Sequence, residues 1–311
     1  AKTLGHLDRC LGCRHCERVC PAHVEYEKLL TKGLYWLETQ APPKSKILPL
    51  SWRTKFLTRV VTHTGLIRSL GKILRFIQVS GLRFIGRISG ITYLLGMRSL
   101  DKMLPAVPSQ APFKSYYPAK KKSEGNLGLF LGCLSRWCDR QTPDAAIYVL
   151  THLGYDVHVP EGQGCCGAMA YHHGEQELAK KLIKNLANIF TTPKIDTIIT
   201  TASGCGAMLI ESKEHQLDER MTMGPQIEDV CQKILPKMAG LSLKSMNLKV
   251  ALHTPCTFMN GMKQSSSALQ VLKQIPNLQV FPITDKETCC GSAGTYMLEH
   301  PKWANELVQK I

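Results

Sequence analysis

A chain of 311 residues, 44% hydrophobic and 20% charged, has an ordinary globular composition and the length for two or three domains. Its thirteen cysteines are spaced as metal ligands, which weighs against an extracellular disulfide framework and for a reducing, cytoplasmic compartment. The net charge of +15 comes entirely from residues 44–122, where 16 lysines and arginines stand against one acid, Asp101; the remainder is neutral, so nothing supports a nucleic-acid partner.

The strongest local motif is Cys10-x-x-Cys13-x-x-Cys16-x-x-x-Cys20-Pro21. Such a run wraps a [4Fe–4S] cube in soft thiolates, whereas zinc sites more often use two separated cysteine pairs. In two-cluster ferredoxins the fourth cysteine of the run serves the other cluster. By that rule Cys10, Cys13 and Cys16 hold one cube and Cys20 reaches toward a second, whose partner run would lie upstream of Ala1. The other arrangement closes all four on one cube. We expect a small α-helical ferredoxin-like domain over 1–40, with a helix at 25–37 and with His15 and His23 as solvated loop residues.

Residues 41–122 form a basic segment and linker. Between 47 and 104 apolar residues recur at three- and four-residue intervals among arginines and lysines, which predicts amphipathic helices. Gly65, Gly71, Gly81, Gly86, Gly90 and Gly96 are expected to break them into short pieces. No window of about 18 residues is free of charge, so a transmembrane span is not expected. Basic amphipathic helices fit an anionic membrane surface, here the inner face of the plasma membrane. The alternative is a helical linker packed on the other domains. Residues 105–122, rich in Pro, Ser and Lys, read as linker.

From 123 onward the pattern is α/β. Strands at 127–131, 155–159 and 196–201 alternate with helices at 144–153 and 175–190, which means βαβ units and a parallel sheet. Each strand leads to cysteine: Cys133, the pair Cys165-Cys166-Gly167, and Cys205. Open α/β sheets bind their ligands past the carboxyl ends of their strands. Residues 246–311 repeat the plan: a strand at 248–252 leads to Cys256, and a helix at 267–274 with a strand at 278–283 leads to Cys289-Cys290-Gly291. An offset of 123–124 positions aligns three cysteines of the first lobe (123–245) with these, so the lobes are an internal duplication. The equivalent of Cys205 would fall near position 329, and the second lobe reads as incomplete.

Cys…CCG…Cys, twice, resembles the cysteine-rich CCG domain of heterodisulfide reductase and related oxidoreductase subunits. With the N-terminal run, and with Cys165-Cys166-Gly167-Ala168, Thr201-Ala202-Ser203-Gly204-Cys205-Gly206-Ala207, His253-Thr254-Pro255-Cys256 and Cys289-Cys290-Gly291-Ser292-Ala293-Gly294, the chain resembles the glycolate oxidase iron–sulfur subunit family. The resemblance implies duplicated Rossmann-like parallel-sheet lobes and an oxidoreductase subunit that is not catalytic alone. An FAD-containing subunit would oxidise glycolate to glyoxylate, and electrons would pass through iron–sulfur centres to the quinone pool. Members carry two ferredoxin runs and two full CCG repeats, so truncation at both ends is the expectation here. Related subunits serve lactate and glycerol-3-phosphate dehydrogenases.

No G-x-G-x-x-G follows a strand, so the chain has no dinucleotide fingerprint and no catalytic residue of its own is expected. In the heterodisulfide reductase branch a full repeat ends in C-x-x-C; here Met208 stands three after Cys205, which argues against a thiol–disulfide role. The expected ligand sets are therefore Cys10, Cys13, Cys16 and Cys20 for [4Fe–4S], then Cys133, Cys165, Cys166 and Cys205, and then Cys256, Cys289 and Cys290. The CCG-site metal is iron–sulfur or zinc. Cys138 is a fifth ligand or a packed thiol, and Cys231 a small apolar residue. His253 is a neighbour of the site or a loop histidine, and His172-His173 are ligands or, as expected here, solvated helix-start residues.

Overall fold

The computed structural model describes residues 7, 9–39, 52–90, 106–107, 111–191, 195–264, 266–283 and 289–309. Asp101, Gly96 and the sequence ends at 1–6 and 310–311 lie outside them.

The first lobe is built on a five-stranded sheet: β1 (Tyr116–Tyr117), β2 (Asn126–Phe130), β3 (Asp156–His158), β4 (Thr197–Thr200) and β5 (Gln226–Asp229). The order is β1-β3-β2-β4-β5, with β2 to β5 parallel and β1 antiparallel at the edge. The short strand β1 falls inside the stretch read as linker; the ladder with β3 claims a tyrosine pair that alternation alone could not flag. Strand β2 alternates sides. Leu127 and Leu129 join the core on one face with Ala146, Ile147 and Leu150 of the helix Gln141–His152. Phe130 joins the other, under the helix Gln176–Phe190. That helix buries Ala179, Leu182, Ile183, Leu186, Ala187 and Phe190, a stripe at three- and four-residue spacing. It lies so close that a Cβ at Gly128 would meet Phe190 and Ile195 at 2.9 Å.

From β2 the chain crosses to β3 on one side and later to β4 on the other. The ends of β3, β2 and β4 are therefore neighbours at the sheet's switch point, where such sheets bind ligands. The second repeat carries, among the described residues, the parallel pair β6 (Lys249–Leu252) and β7 (Gln279–Pro282). Its π-helix Thr257–Gly261 packs on the helix Ser203–Glu214 of the first lobe. Small residues set that approach: a Cβ at Gly261 would meet the Ala207 Cβ at 2.7 Å, and the Ser203 and Thr257 hydroxyls bond at 2.8 Å.

The basic segment folds as helices Trp52–Thr62, Thr64–Val79 and Leu82–Ile88. Gly65 and Gly71 lie within the second and Gly86 within the third, so these glycines do not break helices as expected. Each costs about 1 kcal/mol against alanine, which flanking Leu, Ile and Arg offset. Gly71 packs on Trp137, 3.8 Å from the position of a Cβ. Gly81 and Gly90, with φ of 77° and 72°, are the interruptions.

Candidate metal centre

The switch point brings the cysteines of the first repeat together. Cys133 follows β2, Cys165 and Cys166 follow β3, and Cys205 sits in the first turn of the helix after β4. Their thiols form a chain, Cys133 to Cys165 to Cys166 to Cys205, of side-chain hydrogen bonds. Cys165 receives from Cys133, from Cys166 and from the Gly167 N–H at 3.4 Å, which pulls its pKa well down. The same bonds and burial push Cys133 and Cys166 up. Four thiols share one small space in which a thiolate is already favoured. Among the described residues no three of these sulfurs close to within 4.8 Å of one another.

The glycine of each CCG turn has a physical cause. Gly167 takes φ 87°, and a Cβ there would meet Ala179 Cα at 3.3 Å. Gly291 takes φ 66°, and a Cβ there would meet the Ala304 carbonyl oxygen at 2.6 Å. In both repeats the glycine N–H points to the first sulfur of the pair, at 3.4 Å to Cys165 and 3.4 Å to Cys289. Left-handed backbone and contact with a helix leave room only for glycine.

Gln163 holds the first turn in place, and sequence reasoning missed it. Its buried amide accepts from the Leu131 N–H at 2.9 Å and donates to the carbonyls of Leu129 and Pro160, each at 3.0 Å. A glutamine among glycines carried no period or motif to mark it. Met208 is fully buried in the core. Cys138 is pushed up by burial and by Asp139, and no thiol contributes to its shift. Cys231 packs on the core and is pushed up to about 12 by burial and Asp229.

The second repeat gathers Cys256, Cys289 and Cys290, a set that sequence reading left one thiol short. The structure brings Cys13 beside it. Cys256 is pushed up to about 11 by burial and then by Cys13, Cys289 and Cys290, and Cys289 also feels Cys13. The N-terminal loop docks on this repeat through Asn260 Nδ2, which donates to the Cys13 carbonyl at 2.6 Å, and through Arg18 Nη1, 2.8 Å from Met259 Sδ. Within the run, burial and then Cys13 push up Cys16, and Cys10 likewise feels Cys13 and Cys16. Cys20 differs. The backbone N–H groups of Val24 and Ala22 lower it, with no contribution from another thiol.

A buried polar network, absent from the sequence reading, joins the N-terminal domain to the first lobe. Arg14 donates to Glu17 at 3.0 Å and to Glu211 at 3.1 Å. Glu211 Oε2 lies 3.4 Å from His172 Nε2. Glu27 lies 3.1 Å from His215, whose other nitrogen meets Tyr171 Oη at 2.6 Å. Burial, then the charge of Glu27, raises Glu211 to about 8. Burial is the largest influence on Glu27 and would raise it too, but the bond to His215 together with the charges of His215, His172 and Arg14 outweighs burial and lowers it. One carboxyl keeps its proton and the other its charge. His172 and His173 are thus engaged rather than simply solvated; His173 Nε2 meets Thr295 Oγ1 at 3.1 Å.

Comparison with known proteins agrees with this chemistry. Residues 127–210 and 250–311 match the CCG family, described as a cysteine-rich domain. A probable glycolate oxidase iron–sulfur subunit of Bacillus subtilis (strain 168) is 30% identical over 304 residues, which cover 93% of this chain and 68% of that protein. The glycolate oxidase iron–sulfur subunit of Escherichia coli (strain K12) is 29% identical over 319 residues, 98% of this chain and 72% of that one. Lactate utilization protein A of Shouchella clausii is 27% identical over 197 residues, 60% of this chain and 80% of its own.

Proposed function

Since this chain belongs to the family of glycolate oxidase iron–sulfur subunits and carries the cysteine-rich domain twice, we propose that it relays electrons within a 2-hydroxy-acid-oxidising complex. An FAD-containing partner subunit oxidises glycolate to glyoxylate, and the quinone pool takes the electrons. The observation that carries this reading is the seat of the N-terminal loop on the second repeat, with Cys13 beside Cys256 and Cys289. Successive thiol sets near enough to feel one another's charge suit a relay, whereas a scaffold has no need of neighbouring ones.

Cys10, Cys13 and Cys16, with Cys20 for this cube or a second one, are proposed to hold [4Fe–4S]. Cys133, Cys165, Cys166 and Cys205 would hold a second centre, and Cys256, Cys289 and Cys290 belong to a third. The relatives named as iron–sulfur subunits favour iron–sulfur there over a single zinc. Bound at such sites, iron–sulfur clusters supply one-electron transfer. The chain's own part is to supply thiolates, as at Cys165, and to bury them. The anaerobically reconstituted chain should contain iron and sulfide, show reducible EPR signals, and turn over no glycolate. Glycolate oxidation without a flavoprotein partner, or zinc in place of iron, would overturn this reading.

We also propose that residues 52–90 lie on an anionic membrane surface. No helix of the described residues is long and apolar enough to cross a membrane. Yet Phe56, Ile73, Phe76, Val79, Phe84 and Ile88 are exposed on helices that also carry Arg59, Arg68, Arg75 and Arg83. Co-sedimentation with anionic vesicles that weakens with salt is the expected result; no co-sedimentation at low salt would refute it.

A further inference from the structure

Between the basic segment and the first lobe lies a cleft that the relay by itself does not explain. It encloses about 440 Å³ and is lined by Ile67 and Arg68 of the helix Thr64–Val79, by Phe113, and by Cys133, Arg136 and Trp137 of the lobe. That volume lies within the roughly 300–1,000 Å³ of small-molecule sites. Its lining is what such a site needs, apolar and aromatic walls with a few polar groups set among them.

Cationic groups outnumber anionic ones among the polar side chains, which also include Thr64 and Gln163. Burial, and then the neighbouring charge of Arg68, lowers the pKa of Arg136, so two guanidiniums share the cleft against the single carboxylate of Glu161. Arg136 reaches one protein oxygen, the Gln163 carbonyl at 3.4 Å, and Arg68 lies 5.9 Å over the Trp137 ring. Guanidinium N–H groups held beside an aromatic face call for a flat ligand with electron-rich oxygens. Cys133, the first thiol of the first-lobe set, is itself part of the wall, so an occupant meets that set with no residue between. The opposite wall belongs to the helix that exposes Leu70, Phe76 and Val79, so a molecule dissolved in lipid would reach the cleft along that helix.

We propose that this cleft binds the head group of a lipid-soluble quinone, its ring against Trp137 and its carbonyl oxygens accepting from Arg136 and Arg68. This rests on the quinone reading given above and locates its site. Reducing one quinone to quinol takes two electrons, supplied by oxidation of one hydroxy acid, and two protons, supplied by water at the cleft mouth.

The test uses the cluster-loaded chain in lipid nanodiscs and a short-tailed azido-ubiquinone, followed by equilibrium binding and by mapping of the photolabel. Label on 64–68 or 133–137 is expected. Arg136→Gln and Trp137→Leu should weaken binding about tenfold or more, the worth of a lost charged hydrogen bond or stacking face, with iron, sulfide and EPR signals as in the parent chain. If Arg136→Gln fails to load clusters, Arg68→Gln, on an exposed helix, carries the same expectation. Tight quinone binding that neither variant weakens, or label mapped elsewhere, overturns the cleft and leaves the quinone reading standing. A parent chain that binds no quinone, and whose complex with the flavoprotein reduces none, overturns both.

Discussion

Glu211 offers the sharpest quantitative test, because the Glu211→Gln change keeps the shape of the side chain and removes only its titration. Its carboxyl is 3% exposed and its pKa stands at about 8, against an ordinary value of 4.5. At about 1.4 kcal/mol per pKa unit, this links protonation of Glu211 to folding by on the order of 5 kcal/mol. The sign follows from which state holds the proton. Below pH 4.5 both states are protonated and the contribution is complete; between 4.5 and 8 the unfolded chain releases its proton while the folded chain keeps it. Stability therefore falls with rising pH and levels off above about 8. Roughly 2 kcal/mol of the fall lies between pH 6 and 8, where iron–sulfur proteins are readily handled, which is about 3–4 °C in the unfolding midpoint. His215, raised first by its bond to Glu27, adds to the same slope. In Glu211→Gln the amide oxygen still accepts from Arg14, so the variant should match the parent only below about pH 4.5, exceed it by about 2 kcal/mol at pH 6, and exceed it by roughly 4–5 kcal/mol at pH 8.5. Thermal unfolding at half-unit pH steps, on chains of equal iron content, measures this. A variant with the parent's full slope, or a parent whose midpoint rises from pH 6 to 8, would show that Glu211 is ionised in the fold.

Two further outcomes concern the first thiol set. Gly167→Ala places a Cβ in left-handed backbone, 3.3 Å from Ala179 Cα, and should cost about 1–3 kcal/mol and lower the iron bound per chain. Parental iron content and midpoint would contradict the role given to that glycine. Gln163→Leu leaves the Leu131 N–H and the Leu129 and Pro160 carbonyls without their side-chain partner, at about 1–3 kcal/mol for each group left unpaired. Urea unfolding should show a loss on the order of 3 kcal/mol. The exposed Glu161→Gln, two positions away, should stay within about 0.5 kcal/mol. Equal midpoints for the two variants would remove Gln163 from its structural role.

Much of the first lobe was legible because its signals are local. The strand at 127–131 is observed at Asn126–Phe130, and the helix at 175–190 at Gln176–Phe190, since apolar period and burial agree there. Strand β5 (Gln226–Asp229) was missed because Gln, Glu and Asp carry no β signal; pairing with β4 imposes the extended form. The helix Ser203–Glu214 was hidden for a related reason. Its start reads Ser-Gly-Cys-Gly, a loop by propensity, yet packing of Ala207, Met208 and Leu209 against the cores makes it a helix.

The thiol sets divide along the same line, and the division bears on the proposed relay. The Cys133, Cys165, Cys166 and Cys205 set could be read from sequence because strand ends of one sheet deliver it and a duplication repeats it. No such rule delivers Cys13 to Cys256. They belong to different domains, and only docking through Asn260 and Met259 brings them together. The same docking fixes Arg14 on Glu211, so one surface of the N-terminal loop meets Asn260 and Met259, beside the second thiol set, while its neighbour holds the helix that carries Cys205. A relay needs its sites held at fixed separation, and a loop pinned to both lobes supplies that rigidity without a covalent tie. The proton held by Glu211 lets Arg14 bind there without burying a second bare carboxylate beside Glu27, which is why that carboxyl's titration reports on the seat of the whole N-terminal domain.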